Sequence, residues 1–433
     1  MTAMATVDRD VATTLDPRQS PGGPLIGYVM SRFPKLSETF VLLEMIAVER
    51  AGARVLLCPL IEERSSLRHA EAEPWLRRMN YRAILTPGVV GANVCTLVTR
   101  PRRYGATLLE VLRHNRRHLP FLLKAAPTFV KAVAYARDME KAGVDHVHCH
   151  FATHPALAGL VIHRLTGIPY SFTAHGSDLH VNRTMLDRKA AAAAFVVTVS
   201  EFNAEVLRGS IAQADAARVA VVHCGVDTAE YVRPDERATK AQAPATADPL
   251  RVICVGTLHE VKGQSVLLRA CARARRRGRD VRCTVVGGGP DEDKLRSLIG
   301  ELDLHDHVEL LGPLARDEVR RRVVASDVLV APSIPTSSGK REGIPVALME
   351  GMAAGLAVIA SRLTGIPELV LDERCGLLVE PGCVDELADA LERLADDPRL
   401  RRRLGDEARR WVAREFDLES NAARLLELIG SRG

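Results

Sequence analysis

Short apolar runs rich in valine and isoleucine alternate along this chain with longer stretches of helical periodicity, the pattern left by βαβ units and parallel sheets. Leu25 to Met30 reads as a first strand, Thr39 to Ala51 as a helix and Arg54 to Pro59 as a second strand. Further strands are expected at His146 to Phe151, Ser171 to Ala174, Phe195 to Ser200 and Val219 to His223. The rhythm breaks at Thr239 to Asp248, TKAQAPATAD, which lacks apolar periodicity and has the composition of a linker. It restarts with a helix at Gly263 to Arg277 and strands at Arg251 to Val255, Arg282 to Val286, Val308 to Leu311, Val328 to Pro332 and Ala357 to Ser361. A chain of 433 residues exceeds what one hydrophobic core usually fills. The expected fold class is therefore α/β, with two doubly wound, Rossmann-like domains. The expected divisions are a disordered tail at 1–23, an N-terminal domain at 24–238, a linker at 239–249, a C-terminal domain at 250–412 and a closing helix at 413–433. The Arg-rich helical tail from Asp397 to Ile429 is expected to pack outside the second core.

Charge and cysteine usage narrow the function classes. Lys plus Arg at 59 against Asp plus Glu at 54 gives a net charge of +5, too mild over this length to indicate nucleic acid. The nine cysteines are scattered and never spaced as CxxC, which argues against a disulfide framework or a zinc module and fits a reducing cytoplasm. No window offers roughly 18 uninterrupted apolar residues, so a spanning helix is not expected and membrane contact would be peripheral. Residues 1–23 lack the apolar stretch of a secretory signal. Between Thr99 and Arg137, basic residues (Arg100, Arg102, Arg103, Arg113, Arg116, Arg117, Lys124) interleave with apolar ones (Leu108, Leu109, Leu112, Leu119, Phe121, Leu122, Phe129). Two readings stand: a solvated helix face, or attachment to an anionic membrane surface on the inner face of the plasma membrane.

The most informative stretch is Gly339 to Glu350, GKREGIPVALME, where Glu342 and Glu350 stand eight residues apart around Gly343, Ile344 and Pro345. Pro345 suits a first helical turn, which puts Glu342 in the preceding loop and Glu350 inside the helix near its start. Free N–H groups and the positive dipole end of such a helix suit anionic oxygens. This stretch resembles the Glu-x7-Glu motif of the GT-B glycosyltransferases, specifically the large retaining family numbered four. The resemblance covers the chain from about Leu25 onwards and implies two Rossmann-like domains facing across a cleft. VGTLHEVKG at Val255 to Gly263 resembles the family's phosphate segment and carries Gly256, Thr257 and the basic Lys262. Family members commonly have Arg where this chain has Thr257, and Arg341 or Lys340 could take over that diphosphate contact. VVGGGPDEDKL at Val285 to Leu295 resembles the following strand and glycine turn. LLGPL, ending at Leu314, resembles the loop that touches the nucleotide base.

In the first half, SRFPKLSETF, HVHCHFATHPA and TAHGSD resemble the branch that builds bacterial exopolysaccharides of the colanic acid type. Ser37 could cap a helix, with Glu38 and Thr39 in its first turn and N–H groups exposed towards the cleft. His146, His148 and His150 alternate and so share one strand face, which invites a metal reading. Ring nitrogens bonded to backbone in a buried strand explain them without a fourth ligand. Asp291, Glu292 and Asp293 spell a DxD, but at a helix start, where acids favour the dipole. The resemblance implies that His175 contacts the donor sugar and that Ser37, Glu38, Thr39, His150 and Asp178 serve the acceptor.

What the resemblance implies for mechanism is sugar transfer with retention, without metal or other cofactor. Lys262 and helix N-termini meet the diphosphate charge, Glu342 and the N–H groups of Gly343 and Ile344 orient the sugar, and Glu350 accepts from the ribose hydroxyls. The expected co-substrate is a UDP- or GDP-sugar, and the expected acceptor a lipid-linked oligosaccharide. A soluble natural-product acceptor, or nucleotide-sugar binding without turnover, are the alternatives.

Overall fold

A computed structural model describes residues 22–64, 68–116, 119–180, 182–232 and 249–432. Two six-stranded parallel sheets form, each flanked by helices. The first has the order β2-β1-β3-β4-β5-β6, built from Leu25–Phe33 (β1), Arg54–Glu62 (β2), His146–His150 (β3), Tyr170–Ala174 (β4), Phe195–Thr198 (β5) and Val219–Val221 (β6). The second has the order β12-β11-β10-β7-β8-β9. Its strands are Leu250–Val255 (β7), Val281–Val286 (β8), Val308–Leu310 (β9), Val328–Ala331 (β10), Ala357–Ser361 (β11) and Leu377–Val379 (β12). The sheets are the doubly wound α/β arrangement the alternation implied.

Burial on both faces explains the continuous apolar strands. In β7, Val252 and Cys254 point into a core shared with the helices Gln264–Arg276 and Val384–Asp396. Ile253 points the other way, into a core with Val346–Ala353 and Pro398–Glu415. Each fully buried aliphatic side chain there contributes roughly 1.5–3 kcal/mol. In β3 the period of two sends Val147 and Cys149 into the first core and the three histidines to the opposite face.

Both orders reverse direction once, between β1 and β3 in the first sheet and between β7 and β10 in the second. Crevices beyond the strand ends at such points are where open α/β sheets hold ligands. The segments singled out above lie there: the turn after β1, the ends of β3 and β4, and the loops after β7 and β10.

The chain divides into one compact unit of residues 1–222 with 422–433, and another of 223–421. The division at Val222 differs from the expected one at 238, for a physical reason. Val226 bridges Asp417, and Tyr231 is 1% exposed within the core of the second unit. Residues 233–248, like 1–21, lie outside the described residues, as do the linker and tail readings placed on them. The C-terminal tail is two helices, Pro398–Glu415 and Leu418–Arg432. Leu404, Ala408 and Val412 enter the second unit's cores, so the first of these helices is part of the core and not an outer layer.

Candidate active site

In the second unit, the loops after β7 and β10 are locked together. Gly263 has φ +66°, and a Cβ on it would lie 1.9 Å from the carbonyl oxygen of Pro332, so only glycine allows this approach. The Ile334 N–H donates to the Val261 carbonyl at 3.0 Å. The stem of Lys262 lies along Gly256, where a Cβ would stand 3.4 Å from Lys262 Cε. Its ammonium meets Glu342, with Nζ to Oε2 at 2.5 Å and both side chains largely shielded. The loop bearing Glu342 is pinned by Thr364, whose hydroxyl donates to the Glu342 carbonyl at 2.6 Å. The helices Gln264–Arg276 and Val346–Ala353 both begin without a side-chain cap, which leaves first-turn N–H groups open to an anionic ligand.

Glu350 is half-buried in the second of these helices. Burial pushes its carboxyl above the usual range, while a hydrogen bond from the Tyr231 hydroxyl and the nearby Arg316 guanidinium pull it back. Arg316, 6% exposed, is itself paired with Glu230.

In the first unit, the ends of β3 and β4 and the helix Thr39–Arg50 assemble a chain of polar groups. Glu44 Oε1 is 3.0 Å from His150 Nε2, and His150 Nδ1 is 3.1 Å from His175 Nε2. The Tyr28 hydroxyl also donates to Glu44 Oε1, at 3.1 Å. Aromatic rings frame the set: Tyr28 stacks on His150, and Phe40 and Phe151 flank His175. Burial alone would raise the Glu44 carboxyl, but the imidazoles of His150, His148 and His175 outweigh it and lower it to about 2. Burial, reinforced by His150, holds His175 well below the ordinary histidine value.

Glu44, His148 and His150 bring possible metal-ligand atoms within 4.8 Å of one another. Both nitrogens of His148 are engaged, however, Nδ1 with the Ser171 hydroxyl at 2.8 Å and Nε2 with that of Thr173 at 2.9 Å. His146 Nε2 shares Ser171 at 2.7 Å. Both nitrogens of His148 and Nε2 of His146 are thus bonded to hydroxyls of the neighbouring strand β4, where backbone partners were expected, while His146 Nδ1 is buried without a hydrogen-bond partner among the described residues.

Two family models cover most of the chain: Glycosyl transferases group 1 matches residues 235–411, and Glycosyltransferase Family 4 matches residues 91–230. The GDP-mannose-dependent alpha-(1-6)-phosphatidylinositol monomannoside mannosyltransferase of Mycolicibacterium smegmatis is 30% identical over 325 residues, which span 73% of this chain and 84% of the relative. The chain is a group 1 glycosyltransferase. The amylovoran biosynthesis glycosyltransferase AmsK of Erwinia amylovora is 39% identical over 151 residues, 35% of this transferase and 37% of AmsK. In fold, the transferase is similar to HepE of Anabaena, with a TM-score of 0.69 at 17% identity over 94% of this chain and 100% of HepE. That is the GT-B fold.

Several site residues of the transferase are brought together: Gly256, Lys262 and Glu342 in the second unit, and His150 with His175 in the first. Ile344 and Leu314 are half-buried against the second unit's core, which fixes the loops that carry them. Thr257 is exposed, and its carbonyl accepts from Gln264 at 3.0 Å. Arg341 is also exposed, and Gly343 lies beside it, half-buried. Pro345 stands immediately before the helix at Val346, one position earlier than the motif suggested.

Ser37 does not cap a helix in the transferase. Leu36–Glu38 is a 3-10 turn, and the helix from Thr39 starts behind Glu38 without a side-chain cap. The Thr39 hydroxyl donates to the Leu36 carbonyl at 2.9 Å, and Glu38 pairs with Lys35 at 2.6 Å. Asp178 is 6% exposed and accepts from three backbone N–H groups: Ala152 at 2.7 Å, His175 at 3.0 Å and Gly176 at 2.9 Å. Its carboxylate joins the ends of β3 and β4. Glu44 and Tyr231 were not found by sequence reasoning. A lone acid inside the apolar run FVLLEMIAV was the available signal for Glu44; Tyr231 had none, because its partner Glu350 is distant in sequence.

Proposed function

We propose that this transferase acts with retention and without metal, moving a sugar from a nucleotide diphosphate donor to a hydroxyl of a lipid-linked oligosaccharide in exopolysaccharide assembly. The observation that carries the proposal is the meeting of Lys262 and Glu342 at 2.5 Å beside two uncapped helix starts. As the bond between the anomeric carbon and the β-phosphate oxygen breaks, negative charge grows on the diphosphate. Fixed cations and N–H donors stabilise that charge. Glu342 then orients the sugar and Glu350 accepts from the ribose hydroxyls. The acceptor oxygen attacks from the leaving-group side, and its proton passes to the β-phosphate. His175 acts at the transferred sugar.

Similarity to AmsK and to a mannosyltransferase of phosphatidylinositol mannosides supports an acceptor of this class. The surface of the first unit supports it further. Val90, Val94, Leu97 and Val98 are exposed on the helix Pro87–Thr99, and Leu109 and Leu112 on Pro101–Asn115. Arg102, Arg113 and Arg116 are exposed around them. Apolar and basic groups on one set of helices suit peripheral docking on an anionic membrane. No helix among the described residues is long and apolar enough to cross one.

A panel of UDP- and GDP-sugars with purified protein tests the proposal through nucleotide release and product analysis. Transfer that fails in Lys262→Ala and Glu342→Ala while both variants stay folded is the expected result. Binding of UDP without release from any donor would overturn it.

A further inference from the structure

The chain Glu44–His150–His175 has a polarity that can be worked out group by group. At neutral pH a carboxylate only accepts hydrogen bonds, so His150 must present a hydrogen on Nε2, 3.0 Å from Glu44 Oε1. The Tyr28 hydroxyl donates to the same oxygen and holds the carboxylate in place. A neutral His150 then has a bare Nδ1, and the atom facing it at 3.1 Å, His175 Nε2, must be the donor. That leaves the Nδ1 of His175 as a bare acceptor. The ring is half-buried, and the hydrogen bonds that His175 makes use its Nε2 and its backbone N–H, not Nδ1. Were His150 a cation, the order would invert, and His175 would present a hydrogen at Nδ1 instead.

We propose that Glu44 and His150 are positioning residues that fix His175 as the neutral ring protonated at Nε2, so that its Nδ1 accepts a hydrogen bond from a hydroxyl of the transferred sugar. This rests on the reading of His175 as acting at that sugar. A hydroxyl satisfies the bare nitrogen, a deoxy position leaves it unpaired, and a carboxylate meets it lone pair to lone pair. The substrate class is a neutral hexose with a free hydroxyl at that position, and hexuronic acids are disfavoured. Burial keeps His175 in its neutral form, consistent with this polarity.

Ring-15N-labelled histidine in the full chain, observed by long-range 1H–15N correlation at pH 7.5 and assigned with His175→Ala, tests the inference. The expected wild-type spectrum shows His175 protonated at Nε2 with a bare Nδ1. Glu44→Ala should mix or invert the tautomers and lower kcat about 10- to 100-fold, leaving the Kd for UDP within about twofold. Glu44→Gln, which keeps an acceptor oxygen, should restore the tautomer and most of the rate. A wild-type His175 protonated at Nδ1, or a Glu44→Ala variant with unchanged tautomer and rate, would overturn the proposal. So would a hexuronate donor used as well as its hexose counterpart. Should Glu44→Ala not fold, the wild-type and Glu44→Gln spectra decide. If no donor is turned over at all, the functional reading fails, while the ring spectrum still judges the relay.

Discussion

Lys262 Nζ and Glu342 Oε2 stand 2.5 Å apart, joining the loop after β7 to the loop after β10. The residue proposed to meet the donor diphosphate is thus held by the residue proposed to orient the donor sugar. Binding of a nucleotide sugar must exchange this contact for one with phosphate, and a diphosphate offers Lys262 more charge than one carboxylate does.

This relationship separates the two residues experimentally. Lys262→Ala should weaken UDP binding about tenfold or more through the lost charge-assisted bond, whereas Glu342→Gln should bind UDP as tightly as wild type or more so. Both should lose transfer. Isothermal titration with UDP checks the first pair of outcomes, and equal weakening by both substitutions would contradict the exchange.

Asp178 ties the ends of β3 and β4 through three backbone N–H groups. Asp178→Ala strands those donors in a buried site and should cost about 2–4 kcal/mol. For a unit of this size that is a fall in Tm of about 5–12 °C. Calorimetry showing less than a degree of change would contradict the assignment.

Acid should destabilise the first unit. Burial holds His146 at about 4 and His148 at about 3, below their ordinary 6.5. The unfolded chain therefore takes up protons first as pH falls, so the stability from these neutral rings is complete above about 6.5 and is lost progressively below it. The two together predict a slope of roughly 2–3 kcal/mol per pH unit between pH 6 and 4. Urea midpoints measured across that range check the sign, and a flat profile would contradict it.

Not every arginine of the basic segment is available to a membrane. Arg100 and Arg103 donate to the Leu165 carbonyl at 2.9 and 3.1 Å. Replacing exposed Arg102, Arg113 and Arg116 with Glu should weaken binding to phosphatidylserine vesicles by about 1 kcal/mol or more per position, with melting unchanged. Vesicle co-sedimentation that ignores all three changes would contradict the docking face.

Legibility in the sequence followed the range of the interactions. Ala357–Ser361 was readable to the residue, because a strand buried on both faces must be apolar throughout. The three-residue β12 was too short to show a period. The Glu342–Glu350 spacing was readable because one loop and one helix carry both residues. Glu44 with His150, and Tyr231 with Glu350, are separated by 106 and 119 positions, and only the folded sheets bring them together. The division falls ahead of the composition break because Tyr231 is buried in the second unit's core, a contact that composition does not show.

Metal-free transfer with retention is most directly tested by incubating the purified protein with donor and a hydroxyl acceptor in EDTA and assigning the anomeric configuration of the product by NMR. The expected result is nucleotide release with the donor's configuration retained, undiminished by the chelator. Inversion at the anomeric carbon, or activity that requires added divalent metal, would contradict it.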